Sequence, residues 1–297
     1  ESAAVTTTTG SKNRSGDLNN WHRVLGHLGE DNLRKLFTHD MVRGATLTGN
    51  VNAKLSPCRV CALAKNRATA VRKTKTPSRA AALNDIVWFD LCEVEEESFG
   101  GCKYFCVLID DYSRHGYIVF LRAKSEMFKF FQEYKAFAET QHGRPIRKVR
   151  CDNAGEHTSN EFLAFLRDSG IERERSAPYK AQHNPVAERR NLTIADGIRC
   201  GLQKIAKTLG KPVAAVKKFW AYAARHANDV LNASPTLACG DKTPAEIWSH
   251  GSKPNFSRYH EFGSTCVMHL HSSAKMDARG KVGVYVDKSP DHRAHVF

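Results

Sequence analysis

The sequence predicts an α/β chain: a five-stranded mixed sheet with flanking helices, preceded by a small helical unit. Three observations predict it. Apolar segments after Asp85 switch between strand and helix period in a definite order. Two His and two Cys stand ahead of them at metal-ligand spacing. Three carboxylates, Asp90, Asp152 and Glu188, lie at element ends that this order brings together.

At 297 residues the chain is long enough for a full core and for two or three domains. Its 45 Lys+Arg against 31 Asp+Glu give a formal charge of +14, a surplus that attracts polyanions, nucleic acid first among them. A generally basic soluble protein fits the charge equally well, so charge alone does not decide. Nine cysteines, an odd and scattered number, with no apolar leader, suggest thiols used for metal or packing in a reducing compartment. No apolar stretch is long enough to cross a bilayer. The start at Glu1 rather than Met suggests a piece of a longer polypeptide.

Residues 1–18, rich in Thr, Ser, Ala and Gly, are expected to be a disordered tail, with order beginning at Trp21. A unit over 19–64 then carries His22, His27, Cys58 and Cys61, the composition of a closed tetrahedral zinc site. Positions 22 and 27 do not share a helical face, so a turn at Gly26 has to bring the rings together. Leu33, Leu36 and Phe37 recur at helical spacing and supply the small core that the metal fastens. His39 ranks below His22 and His27 as a ligand. Residues 65–82 read as a basic linker, either solvated or a strap whose Arg72, Lys73 and Lys75 contact phosphate.

The core follows from residue 83. Ile86–Cys92, Tyr104–Ile109 and Gly116–Leu121 read as three strands with short connections, an antiparallel meander. Glu126–Gln141 reads as a helix with Met127, Phe130, Phe131, Tyr134, Phe137 and Ala138 on one side. Ile146–Cys151 is the fourth strand and runs into Asp152. Thr158-Ser159-Asn160-Glu161 reads as a capping box opening a helix with Phe162, Phe165 and Leu166 inward. Ile171–Arg175 is the fifth strand. Asn184 then caps a long helix with Pro185 at its first position. This order is that of an RNase H-like fold, in which strands one and four are neighbours and the last helix lies over them.

In that arrangement Asp90, Asp152 and Glu188 converge, and two aspartates with a glutamate can hold two divalent metals for phosphoryl transfer. Each has an ordinary use: Asp90 as a surface strand residue, Asp152 in a turn with Asn153 and Gly155, Glu188 against a helix dipole. Three such residues on converging elements favour the catalytic reading. Asp110 and Asp111 are the rival pair and are expected to cap the turn into Tyr112-Ser113-Arg114. Lys180, Gln182, Arg189 and Arg190 flank Glu188 as phosphate contacts or as a solvated basic face. Phe219–Leu231 carries an apolar stripe fit for a subunit interface or for ordinary core.

These residues resemble the integrases of copia-type LTR retrotransposons, relatives of retroviral integrases. The resemblance rests on Trp21-His22, Leu25-Gly26-His27, Cys58-x2-Cys61, Ile109-Asp110-Asp111-Tyr112-Ser113-Arg114 and Arg150-x-Asp152-Asn153-Ala154-Gly155-Glu156. It continues through Ser176-Ala177-Pro178-Tyr179, Val186-Ala187-Glu188-Arg189-x-Asn191, Thr243-Pro244-x-Glu246-x-Trp248 and Gly283-Val284-Tyr285, over roughly residues 20–297. The family pattern has Gly where this chain has Pro185.

The resemblance implies Asp90, Asp152 and Glu188 as a D,D-35-E triad for two Mg²⁺ or Mn²⁺, and one Zn²⁺ on His22, His27, Cys58 and Cys61. It implies a catalytic core with C-terminal helices over 83–250 and an SH3-like β domain over 258–297. It implies joining of element cDNA 3′ ends to double-stranded target DNA by a homo-oligomer, in the nucleus after cytoplasmic virus-like particles. The alternatives are a degenerate element-derived nucleic-acid-binding protein and an RNase H-type nuclease.

Overall fold

The computed structural model describes residues 14–65, 79–151, 159–174, 184–269, 279–288 and 294–296. Two compact units make up the chain: Arg67–Ile194, and a second that joins the segment up to Asn66 with the segment from Ala195 onward. The helices after Ala195, which the sequence grouped with the core, are thus grouped with the N-terminal segment.

The joined unit starts earlier than Trp21. Strand β1 (Arg14–Gly16) pairs in parallel with β2 (Ala45–Leu47), and Leu18 is buried. Asp17 caps α1 (Leu18–Val24), its Oδ1 accepting from the Asn20 N–H at 2.7 Å. Residues 14–18 are therefore elements rather than tail, because the Asp17 cap and the β2 pairing satisfy their backbone. Helix α2 (Glu30–Thr38) buries Leu33 and Leu36, with Phe37 packed at 5.7 Å on the Trp21 ring. The short α3 (Arg59–Ala64) carries Cys61 and starts just after Cys58.

Arg67–Ile194 holds the sheet. Central strand β3 (Ile86–Glu93) buries Ile86 to Phe89 consecutively, as a strand covered on both faces must. It pairs antiparallel with β4 (Tyr104–Asp110), which pairs antiparallel with β5 (Gly116–Leu121). Helix α4 (Met127–His142) buries Met127, Phe131, Tyr134 and Ala138, while Phe137, expected inward, is exposed against Tyr117. Strand β6 (Lys148–Arg150), shorter than expected, pairs in parallel with β3 and with β7 (Glu172–Glu174). The order is β5-β4-β3-β6-β7, the five-stranded mixed sheet of the RNase H-like core. Between β6 and β7, α5 (Asn160–Asp168) is capped by Ser159, whose Oγ accepts from the Phe162 N–H at 3.3 Å. The cap lies one residue beyond the one the sequence suggested, so Glu161 is not at the box position.

Helix α6 (Pro185–Leu209) begins at Pro185 as expected. Helix α7 (Trp220–Asn232) buries Trp220, Ala223, Ala224, Ala227 and Val230, so its stripe is core of its own unit. Helix α8 (Pro244–Trp248) follows an N-cap on Thr243. Strands β8 (Thr265–His269), β9 (Gly280–Lys288) and β10 (Ala294–Val296) form a three-stranded antiparallel sheet where the three C-terminal strands were expected.

Candidate active site and metal centre

The carboxylate site is built on β3 and the first two turns of α6. Asp90 is half-buried, the fifth residue of β3. Glu188 is exposed in the first turn of α6. Two amides fasten that turn to the strand. Asn184 Nδ2 donates to the Phe89 carbonyl at 2.7 Å, and Asn191 Nδ2 donates to Asp90 Oδ2 at 2.9 Å. Asn184, Glu188 and Asn191 are four and three residues apart, so they share one helical face. The two amides flanking Glu188 both touch β3 at consecutive residues, so Glu188 stands on the side of α6 that meets Asp90. Asn184 thus serves as a tertiary tie; its side chain was expected to cap the helix, yet its Oδ1 has no hydrogen-bond partner among the described residues.

Asp152 lies outside the described residues. Among the described residues the parallel register of β3 and β6 ends with Trp88 opposite Arg150. Asp90 and Glu188 are hard oxygen donors from two rigid elements, a donor set that suits Mg²⁺ or Mn²⁺. Cys92, two residues past Asp90, projects to the same face of the strand. Burial and then the Asp90 charge push its thiol up.

The cations near Glu188 divide. Arg189 is exposed. Arg190 NH1 donates to the Arg114 carbonyl at 3.0 Å, and its guanidinium lies where a Cβ on Gly116 would sit, at 2.5 Å. That gives Arg190 a structural seat, where the sequence left it between a phosphate contact and a solvated face. Lys180, Gln182, Arg72, Lys73 and Lys75 lie outside the described residues.

The rival acids are structural. Asp110 Oδ2 accepts from Ser113 N–H and Oγ–H, both at 2.7 Å, and Oδ1 accepts from Asn84 N–H at 2.8 Å. Asp111 accepts from Trp88 Nε1 at 2.6 Å, Arg114 at 2.7 Å and the Ala80 N–H at 2.7 Å. Burial pushes the Asp110 carboxyl up, against the hydrogen bonds from Ser113 and Asn84.

In the other unit, His22, His27, Cys58 and Cys61 come together with all four ligand atoms within 4.8 Å of one another. Gly26 at φ 58° and His27 at φ 63° make the left-handed turn that the spacing required. His22 Nε2 stands 3.1 Å from His27 Nδ1 and 3.3 Å from Cys61 Sγ; Cys58 Sγ stands 3.2 Å from His27 Nδ1. Tetrahedral zinc with bonds of about 2.0–2.3 Å has edges of roughly 3.3–3.8 Å; the contacts of 3.1–3.3 Å lie near such an edge, and the widest pair, within 4.8 Å, would draw in on binding. His22 Nδ1 donates to the Leu28 carbonyl at 2.8 Å, which leaves Nε2 as the ligand nitrogen.

Burial first, then the neighbouring His22, pushes the His27 pKa down to about 3, so its ring is neutral as a ligand must be. The arm carrying the thiols is held from outside. Lys65 Nζ donates to the His27 carbonyl at 2.8 Å, and Arg199 Nε donates to the Ala64 carbonyl at 3.1 Å while pairing with Asp196. His39 pairs with Asp241 at 3.3 Å, outside this group.

Residues 80–181 match the model of the integrase core domain and residues 1–66 that of the GAG-pre-integrase domain. The retrovirus-related Pol polyprotein from transposon TNT 1-94 of Nicotiana tabacum is 32% identical over 84% of this chain and 18% of its own length. The corresponding polyprotein from transposon RE1 of Arabidopsis thaliana is 22% identical over 93% of this chain and 18% of its own. The chain thus spans about a fifth of the length of these relatives. Among solved structures, a chain of the simian T-cell lymphotropic virus intasome is 16% identical, with TM-score 0.45 over 80% of this chain and 84% of that one. The HTLV-2 integrase catalytic core domain in complex with magnesium is 18% identical, with TM-score 0.39 over 57% of this chain and 99% of that one. The two domain models, one after the other, and the plant polyproteins place this chain in the copia-type integrase family. Among the described residues no helix is long and apolar enough to cross a membrane.

Proposed function

We propose that the chain joins the 3′ ends of element cDNA to target DNA by metal-dependent phosphoryl transfer, with Asp90, Asp152 and Glu188 as the metal-binding carboxylates. The observation that supports this reading is the pair of amide ties, Asn184 to Phe89 and Asn191 to Asp90, which join β3 to the turns of α6 that include Glu188. Divalent magnesium or manganese, when bound, supplies Lewis-acid charge for the attacking and leaving oxygens of an in-line displacement. The chain's own part is positional. Asn191 fixes one oxygen of Asp90, so the carboxylate does not rotate as the substrate phosphate approaches. Arg189, exposed one residue beyond Glu188, offers a guanidinium to a phosphate oxygen. His22, His27, Cys58 and Cys61 would hold one zinc ion that closes the N-terminal unit.

Strand transfer with the purified chain, an oligonucleotide bearing the element terminus, a target plasmid and Mg²⁺ or Mn²⁺ tests the reading. Joined product is expected from the unaltered chain and none above background from Glu188→Gln, with the fold unchanged by circular dichroism. Undiminished joining by Glu188→Gln would sink the assignment. DNA binding without any joining would leave the degenerate binding protein in its place.

A further inference from the structure

The corner after α6 carries a second feature. Residues 197–228 contain seven Lys+Arg and no Asp or Glu. Within this run the apolar side chains turn inward: Leu202, Ile205, Ala206, Val216 and Phe219 share one buried cluster. Outside stand Lys207, Lys211, Lys217 and Lys218, all exposed, with Leu209 exposed among them. The backbone beneath them is fixed. Gly210 takes the left-handed conformation at φ 61°, the Lys211 N–H donates to the Ala206 carbonyl at 2.9 Å, and the 3-10 segment Val213–Phe219 follows at once.

None of the four ammonium groups has a carboxylate or hydrogen-bond partner among the described residues, whereas Lys204, one turn earlier, is held by Glu261 at 3.0 Å. Four unpaired like charges on a rigid corner repel one another and gain most from a polyanion. Lysine ammoniums are point charges without a planar fork, so they suit phosphate oxygens rather than base edges.

We propose that Lys207, Lys211, Lys217 and Lys218 form a docking surface for the phosphate backbone of double-stranded DNA, read without regard to sequence. The choice of duplex DNA as the polyanion rests on the integrase reading above; the surface itself rests on the corner's geometry.

The test uses the full chain and a fluorescent duplex of arbitrary sequence, titrated at several KCl concentrations. Combined replacement Lys207→Ala, Lys211→Ala, Lys217→Ala and Lys218→Ala is expected to weaken binding at least about tenfold at roughly 0.1 M salt. The slope of log affinity on log salt should shrink by about 3–4, since each lost phosphate contact removes about 0.9. A charge-matched control alters Lys35, Lys54, Lys242 and Lys281, which also lack ion pairs among the described residues, to Ala and should lose much less. Equal losses in both variants would overturn the proposal in favour of diffuse net charge, as would an unchanged slope or tighter binding of single-stranded RNA. Joining by the unaltered chain with no loss of duplex affinity in the four-lysine variant overturns this surface alone; a chain that binds no duplex at all overturns the integrase reading together with it.

Discussion

Asn191 is the residue that the structure adds to the site. Its position three after Glu188 was visible in the sequence, but its partner was not. The hydrogen bond to Asp90 spans 101 residues and depends on how α6 docks, which no local pattern encodes. The same docking explains Asn184: a residue typical of caps is drawn instead to the Phe89 carbonyl. Asp90 and Glu188 stood out as candidates because an acid inside an apolar strand and an acid just after Asn-Pro are both locally conspicuous. Asn191→Ala should lower joining at least about tenfold by releasing Asp90 Oδ2. Duplex DNA affinity should be unmoved, and Asn191→Gln should recover part of the rate. Unaltered joining by Asn191→Ala would remove the residue from the site.

At the scale of elements, the His/Cys metal group was legible through ligand type and spacing, and the turn at Gly26 was required by geometry before it was seen. The outer supports were not. Arg199 sits on α6, far along the chain from Cys61, and a guanidinium reaching the Ala64 carbonyl at the end of α3 leaves no mark on either segment. Second contacts of this kind typically shift metal affinity by about 10–100-fold. Arg199→Ala is therefore expected to weaken zinc binding within that range, measured by competition with a chromophoric chelator. The stoichiometry should stay at one ion per chain, and the cobalt-substituted spectrum should stay tetrahedral. An unchanged affinity would confine Arg199 to packing. The shift of the α5 cap to Ser159 shows the other limit of sequence reading, since two adjacent hydroxyl residues compete for one role.

For the molecule as a whole, sheet order was readable because period and order of elements leave few topologies once crossovers are constrained. The grouping of residues 195–297 with the N-terminal segment was not, since compactness between distant segments is decided by packing. Acid sensitivity also belongs to this scale. Burial, then Arg190 and His142, pushes the His115 pKa down to about 3. An unfolded His titrates near 6.5, so below that pH the unfolded chain takes a proton that the folded one refuses. Stability from this source is whole above about pH 6.5 and falls as pH drops toward 3, by on the order of 2 kcal/mol at about pH 5. His115→Leu should flatten the dependence of urea midpoint on pH between 6.5 and 4. An unaltered slope would show that the ring is hydrated in solution.

The two amide ties also impose an order in time. Asp90 meets Val107 across the β3–β4 hairpin, a short loop to close. Its meeting with Asn191 closes a loop of about a hundred residues, some 1.6 kcal/mol more costly in chain entropy than the hairpin. The meander is thus expected to condense first, while α6 arrives after β6 and β7 have added to the sheet. During refolding, the strand that bears Asp90 is then in place before the helix that bears Glu188. A chain emerging from synthesis would complete its sheet while the reactive centre is still unassembled.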